Sequence, residues 1–278
     1  MRYTYPFLFT FLSAILLHFT CLAQDIERLD GSTISPEALT EKVKSLTEAG
    51  EVHGLALAVF NNDEAVYTKT FGYRDLAKGW PLNLNTNMYG ASLSKAVFAV
   101  LVMKLVEEEV LDLDTPLQSY LPKKIYEYEP QTRWHDHYGD LKDDSLYHKI
   151  TARMALAHTS GFPNWRFYEE DKKLRVKQEP GSGYLYSGEG MVYLQVVIEK
   201  MTGRGLEELA QEKVFEPLGM ENSAYQWEDR WKAEFARGHN TKGEGYGKDI
   251  DNEPRAPSTL ETTASDYVLL WRPSYRGS

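Results

Sequence analysis

Residues 96–110 (AVFAVLVMKLVEEEV) constrain the fold more than any other stretch. Coiled as a helix, the run shows apolar side chains on every side until the glutamates, so other elements must surround it. A chain of 278 residues with 42% apolar content can supply that surround in one large domain or two small ones. The formal charge of −10 argues against a nucleic-acid partner, because phosphate binding needs clustered Lys and Arg. No repeat, heptad run or low-complexity block interrupts the pattern.

The N-terminus reads as an export signal. Arg2 precedes an apolar run at residues 7–17 (FLFTFLSAILL), which is short for a bilayer span. Cys21-Leu22-Ala23 offers small residues at the two positions a signal peptidase inspects. Cleavage is expected after Ala23, giving a signal peptide at 1–23 and a secreted or periplasmic domain at 24–278 with no stable membrane span. Lipid anchoring at Cys21 is the competing reading, and His18-Phe19-Thr20 is a poor match to what it requires. The single cysteine leaves with the signal or becomes its anchor, so neither disulfides nor thiol chemistry are expected in the domain.

Beyond this, helices and short strands alternate. Ser35-Pro36 opens a helix with Leu39, Val43 and Leu46 on one face and Gly50 at its end. Residues 54–60 and 65–72 read as strands joined by Asn61-Asn62-Asp63, an antiparallel hairpin. Residues 112–122 are a loop closed by proline. Residues 123–149 hold many charges, several tyrosines and three histidines without periodicity, and read as a long surface excursion. Its aromatic part, residues 126–147, either walls a cleft or packs on itself. Helices are expected at 150–157, ending in His158-Thr159-Ser160-Gly161, and at 191–201 and 206–214, parted by Thr202-Gly203. Pro217-Leu218-Gly219-Met220 stops the last of these. Residues 221–257 are turn-rich, and Ser265-Asp266 caps a final apolar turn at 267–271.

Just before the apolar helix stands Ser92-Leu93-Ser94-Lys95. A Ser-x-x-Lys pair arises by chance about once in a chain of this Ser and Lys content, so position must decide its meaning. Residues i and i+3 share a helix face. At a helix start, free N–H groups and the positive dipole end favour negative charge on a serine oxygen. The same surroundings and an apolar wall disfavour an ammonium, which prepares a lysine to accept a proton. Ser92 as nucleophile with Lys95 as base is one reading; a helix cap followed by a solvated lysine is the other. His135, Asp136, His137 and His148 are potential metal ligands. The i, i+2 pair His135 and His137 has no third ligand at metal-site spacing and no supporting partner evident in the pattern, so a solvated acidic loop is the favoured reading and no metal is expected.

Four stretches in order bear on this choice through a resemblance. The segment around Ser92-Leu93-Ser94-Lys95, with its long helix and DLDTPLQSYLP, resembles the serine β-lactamase and penicillin-binding protein superfamily, in its class C, D-alanyl-D-alanine carboxypeptidase and esterase branch. Residues 150–162 (ITARMALAHTSGF), 180–203 (PGSGYLYSGEGMVYLQVVIEKMTG) and 214–223 (VFEPLGMENS) resemble later segments of that branch. The resemblance implies an α/β (α+β) fold: an antiparallel sheet with flanking helices plus a mostly helical region. It makes Ser92 the acylated nucleophile, Lys95 its proton acceptor and Tyr186 the motif tyrosine. The Lys95 charge favours ionisation of that phenol, which can relay a proton to the leaving group. His158 is implied to be scaffold.

Two departures stand out. Gly188 occupies the position where the branch places an asparagine whose amide binds the substrate carbonyl. The third motif, Lys-Thr-Gly or His-x-Gly, is not found; Thr241-Lys242-Gly243 has another order and reads as a loop. Residues 260–271 resemble the helix before that motif, so the C-terminal strands are expected to be missing. Residues 54–60 would then carry an unpaired apolar edge. The oxyanion hole would keep one donor, a loss that costs about 100- to 1,000-fold in turnover. The expected function is hydrolysis of an amide or ester (a β-lactam, D-Ala peptide or short ester) through a Ser92 acyl-enzyme, without cofactor, on a small-molecule or peptide substrate. The alternative is a non-catalytic relative that binds peptidoglycan or peptide ligands.

Overall fold

Ile26–Glu27 (β1) and Thr33–Ile34 (β2) form a short antiparallel ladder at the start of the computed structural model, which describes residues 25–250 and 252–272. The expected export signal and Cys21 lie outside the described residues. Pro36–Ala49 (α1) begins as anticipated: the Ser35 hydroxyl accepts the Ala38 N–H at 3.2 Å, and Pro36 needs no partner in the first turn. Of its expected apolar face only Val43 is buried, and Leu46 is 61% exposed. The helix meets the following strands at its N-terminal half, where Thr40 Oγ1 lies 2.9 Å from the Tyr67 hydroxyl.

Gly54–Asn61 (β3) and Glu64–Asp75 (β4) form the anticipated hairpin, paired from Gly54 opposite Gly72 to Asn61 opposite Glu64 with a one-residue register shift between Val59 and Phe60. Asn62 and Asp63 turn the chain with φ of 50° and 67°, the left-handed pair that suits a right-twisted hairpin. Trp80–Pro81 (β5) adds to β4, giving the order β3-β4-β5. Among the described residues β3 therefore has no strand on its other side, and none of its residues is buried.

Met88–Ala91 (β6) leads into Ser94–Glu107 (α2), the helix that the apolar run foretells. It is shorter than expected and not enclosed all round. Val97, Phe98, Leu101, Val102 and Leu105 are buried, whereas Met103 is 43% exposed. Glu109, with φ of 57°, turns the chain away after the helix, so the glutamates meet water instead of extending it.

Ala152–Leu156 (α3), capped by Thr151, leads toward Gly188–Thr202 (α4), which sits at the centre of the core. Ser187 caps α4 by accepting the Gly190 N–H at 2.7 Å, and Gly203 ends it at φ of 70°. Leu206–Ala210 (α5) passes through one wide π turn at Gln211–Phe215 into Glu216–Leu218 (α6), where Gly219 stops it at φ of 71°. A single helix at 206–214 was the expectation; the chain instead coils on past Pro217. A proline supplies no N–H for the carbonyl four residues back, and the widened turn absorbs that mismatch. Leu260–Thr262 (β7) pairs antiparallel with β6, and Ala264–Leu269 (α7) follows. The cap of α7 is Thr263, not Ser265. Asp266 instead accepts the Asn222 N–H at 2.6 Å and the Ser223 hydroxyl at 2.9 Å.

The largest correction concerns residues 123–149. They are no mere surface excursion: Ile125, Tyr138, Leu141 and Tyr147 are buried in the main core. Tyr138 and Tyr147 set their rings edge-on to Tyr193 of α4, with centroids 5.7 and 6.4 Å apart. Among the described residues, no helix is long and apolar enough to cross a membrane.

Candidate active site

Ser92 lies on the turn between β6 and α2, exposed, behind a strained residue: Ala91 has φ of 43°, a region that costs a side chain with a Cβ. Three bonds hold this turn. The Ser94 hydroxyl donates to the Ala91 carbonyl and accepts the Leu260 N–H at 3.0 Å, and the Tyr225 hydroxyl donates to the Ser94 carbonyl at 2.8 Å. Ser94 thus ties the β6–α2 turn to β7.

Lys95, on the first turn of α2, is only 9% exposed. Its Nζ donates to Ser92 Oγ at 3.1 Å and to the Pro257 carbonyl at 2.9 Å. The solvated-cap reading of the pair is thereby set aside, since the amine is turned inward onto the serine. The Tyr186 hydroxyl donates to the same Ser92 Oγ at 2.9 Å. Lys95 Nζ also stands 4.9 Å from the Tyr186 ring centre, so the three groups named from the sequence converge on one oxygen. Partial burial pushes the phenol up. Hydrogen bonding with Lys95 and Ser92 and the lysine charge outweigh this, and the phenol ends below the ordinary tyrosine range.

His158 accounts for where Tyr186 stands. It occupies the left-handed position after α3, with φ of 57°, where glycine is usual. The Thr159 N–H bonds the Met154 carbonyl at 2.8 Å and the His158 N–H bonds the Ala155 carbonyl, the pairing that closes such helix ends. The histidine then accepts the Leu185 N–H at its carbonyl (2.8 Å) and the Ser187 N–H at Nδ1 (3.1 Å), bracketing Tyr186. Its ring lies 4.5 Å from the phenol ring. Burial, then the Lys95 charge, hold the imidazole below its ordinary range, which suits a neutral acceptor.

Gly188 is buried as the first residue of α4, and its N–H bonds Asn164 Oδ1 at 3.1 Å. A Cβ built on it would meet three ring carbons of Trp165 at 2.7–2.8 Å, so the indole fills the space an asparagine side chain would need. Sequence reasoning passed over Trp165, Asn164 and the Pro257 carbonyl. Trp165 and Asn164 directly follow the His-Thr-Ser-Gly stretch and its Phe-Pro, the one signal that pointed there.

The remaining candidates do not join the site. Lys242 is exposed in a turn where its N–H bonds Asn240 Oδ1, beside Gly243, which abuts Leu76 and His53. The three histidines of the 123–149 segment point to different partners. His135 is buried edge-on to Trp134, His137 Nε2 lies 2.8 Å from the Thr132 carbonyl, and His148 lies against Tyr147.

An antiparallel sheet beside a helical region, with Ser, Lys and Tyr meeting at the sheet–helix junction, defines a β-lactamase/transpeptidase-like protein. The beta-lactamase family pattern matches residues 39–272, and the chain belongs to that family. It is 30% identical to the lovastatin esterase of Penicillium rubens over 202 residues, 64% of this chain and 50% of that protein. It is 28% identical to penicillin-binding protein 4* of Bacillus subtilis over 246 residues, 81% of this chain and 48% of that one. The chain thus spans about half the length of these curated relatives. Its fold is similar to that of the beta-lactamase/D-alanine carboxypeptidase from Pseudomonas syringae, with TM-score 0.66 and 18% identity over 83% of this chain and 62% of that chain.

Proposed function

We propose that the chain is the core of a serine hydrolase that cleaves an ester or amide through an acyl-enzyme on Ser92. The convergence of Lys95 Nζ and the Tyr186 hydroxyl on Ser92 Oγ, at 3.1 and 2.9 Å, carries this reading. In the form where Lys95 is the neutral amine, its Nζ takes the Oγ proton as Oγ bonds to the substrate carbonyl carbon. Tyr186 then delivers a proton to the leaving group as the carbonyl–heteroatom bond breaks. Water attacks the acyl-serine with the proton transfers reversed, which frees the acid and restores the hydroxyl. The Pro257 carbonyl fixes the lysine, and His158 fixes the tyrosine.

The relatives named above are an esterase and a penicillin-binding protein, which supports an acyl donor of the small-ester, D-Ala-peptide or β-lactam type. The basic start and short apolar run of residues 1–23 support export, with residues 24–278 as the mature domain. N-terminal sequencing of exported protein should then begin at Gln24. For the activity, purified protein is incubated with p-nitrophenyl esters and with a fluorescent penicillin. Turnover of an ester or a covalent band, lost in Ser92→Ala, is the expected result. Well-folded protein that shows neither would favour the alternative, a non-catalytic binder of peptidoglycan or peptide ligands.

A further inference from the structure

Resting on the acyl-enzyme reading, we infer that Trp165 makes this site select an apolar acyl group instead of one that carries an amide. Ser187 is extended, with φ −135° and ψ 113°, so the residues on either side of it project to the same side. Its own hydroxyl turns inward to the Pro163 carbonyl and the Gly190 N–H. Tyr186 projects to Ser92. The Cβ direction at Gly188, about 7 Å further along an extended chain, projects into the Trp165 ring. The indole therefore stands beside Tyr186, on the same side as the phenol, at the place where an amide side chain at 188 would stand.

The indole is also fixed in place. Phe167 stacks on it at 5.6 Å and 11°, and Trp134 from the 123–149 segment stands edge-on at 5.8 Å. Between them Arg166 is clamped to Glu189 of α4: Nε to Oε1 at 2.9 Å and Nη2 to Oε2 at 2.7 Å, with a further bond to the His137 carbonyl. This buried pair joins the loop, the 123–149 segment and the start of α4. The aromatic wall is thus held rigid before substrate arrives. A rigid ring with no free donor at its face rewards aryl or branched acyl chains, and it leaves an acyl amide desolvated without a partner.

The test compares kcat/KM for three p-nitrophenyl esters, the phenylacetate, the acetate and the N-acetylglycinate, in the full chain. Each transfers its acyl group to Ser92 Oγ and releases p-nitrophenol. The wild type should favour phenylacetate over N-acetylglycinate by about tenfold or more. Trp165→Ala should erase most of that preference, mainly through KM, and Trp165→Phe should keep most of it. Trp165→Ala combined with Gly188→Asn should turn the preference toward N-acetylglycinate. Labelling of Ser92 by a fluorophosphonate is followed in parallel. A labelled wild type with no preference, or a preference that survives in labelled Trp165→Ala, overturns the inference while leaving the hydrolase reading intact. If Trp165→Ala does not fold, loss of the preference in Trp165→Phe overturns it equally. A folded wild type that takes no label overturns the hydrolase reading, and this inference falls with it.

Discussion

Helix α4 and strand β3 are both built largely from apolar and small residues, yet residues 188–198 of α4 are all buried and no residue of β3 is. Composition does not separate them; enclosure does. Helix α4 is ringed by α3, by the tyrosines of the 123–149 segment and by the rest of the main core, while β3 is paired along one edge only among the described residues. The site hangs from the enclosed side. Tyr186 runs straight into α4, Lys95 belongs to α2, and Ser92 follows β6, which pairs with β7 and not with the hairpin. The three side chains thus stand on elements outside the β3–β4 ladder, and residues 234–237, bonded both to Asn87 and to Arg74, link the two.

That separation can be broken most forcefully at Lys95. Lys95→Ala should slow fluorophosphonate labelling of Ser92 on the order of 10⁴-fold, because it removes the proposed proton acceptor. Leu57→Ala in β3 should leave the rate within about threefold, since small substitutions distant from a site act independently of it. A hairpin variant as damaging to labelling as Lys95→Ala would show that the sheet shapes the site after all.

Stability should divide along the same line. Leu101→Ala, in a fully buried position of α2, should cost about 2–5 kcal/mol in urea unfolding. Leu57→Ala, half-buried at the sheet edge, should cost about 1 kcal/mol or less. Equal costs would mean that β3 is covered in solution.

The 123–149 segment should confer acid sensitivity. Burial first, then the Arg255 charge, hold His135 down at about 4 against an ordinary 6.5. In the window from 6.5 to 4 the unfolded chain takes up a proton that the native histidine refuses, so this contribution to stability is complete above 6.5 and falls as pH falls to 4. His135→Gln should flatten the urea midpoint across that window relative to wild type. An unchanged slope would show that the imidazole is not enclosed.

The smallest expected signal is spectroscopic. Subtracting the 295 nm pH titration of Tyr186→Phe from that of wild type should isolate one phenol that ionises below the ordinary tyrosine value of about 10. A difference curve centred above that value would contradict the hydrogen bonding with Lys95 and Ser92.

Much of this arrangement was legible in the sequence. The turn at Asn62-Asp63, the Ser35 cap and the glycine stops at 203 and 219 follow from local chemistry, which acts within a few residues, whereas the Ser187 cap, which starts α4 three residues before the expected Met191, was missed. Ser92, Lys95 and Tyr186 were legible only through the order of their motifs, because Ser-x-x-Lys alone is a chance pair and Tyr184 and Tyr193 lie close by. The 123–149 segment misled because it folds into short 3₁₀ turns, which leave no 3.6-residue period to mark a buried face. Trp165 was illegible for a different reason. Its meaning depends on a missing Cβ at Gly188, 23 positions away, and no local pattern joins the two.

The most direct test of the convergence at Ser92 is peptide mapping by mass spectrometry after fluorophosphonate treatment of the folded chain. One adduct on the peptide that carries Ser92, formed rapidly in wild type and on the order of 10⁴-fold more slowly in Lys95→Ala, is the expected outcome. An adduct at another residue, or equal rates with and without the lysine, would contradict it.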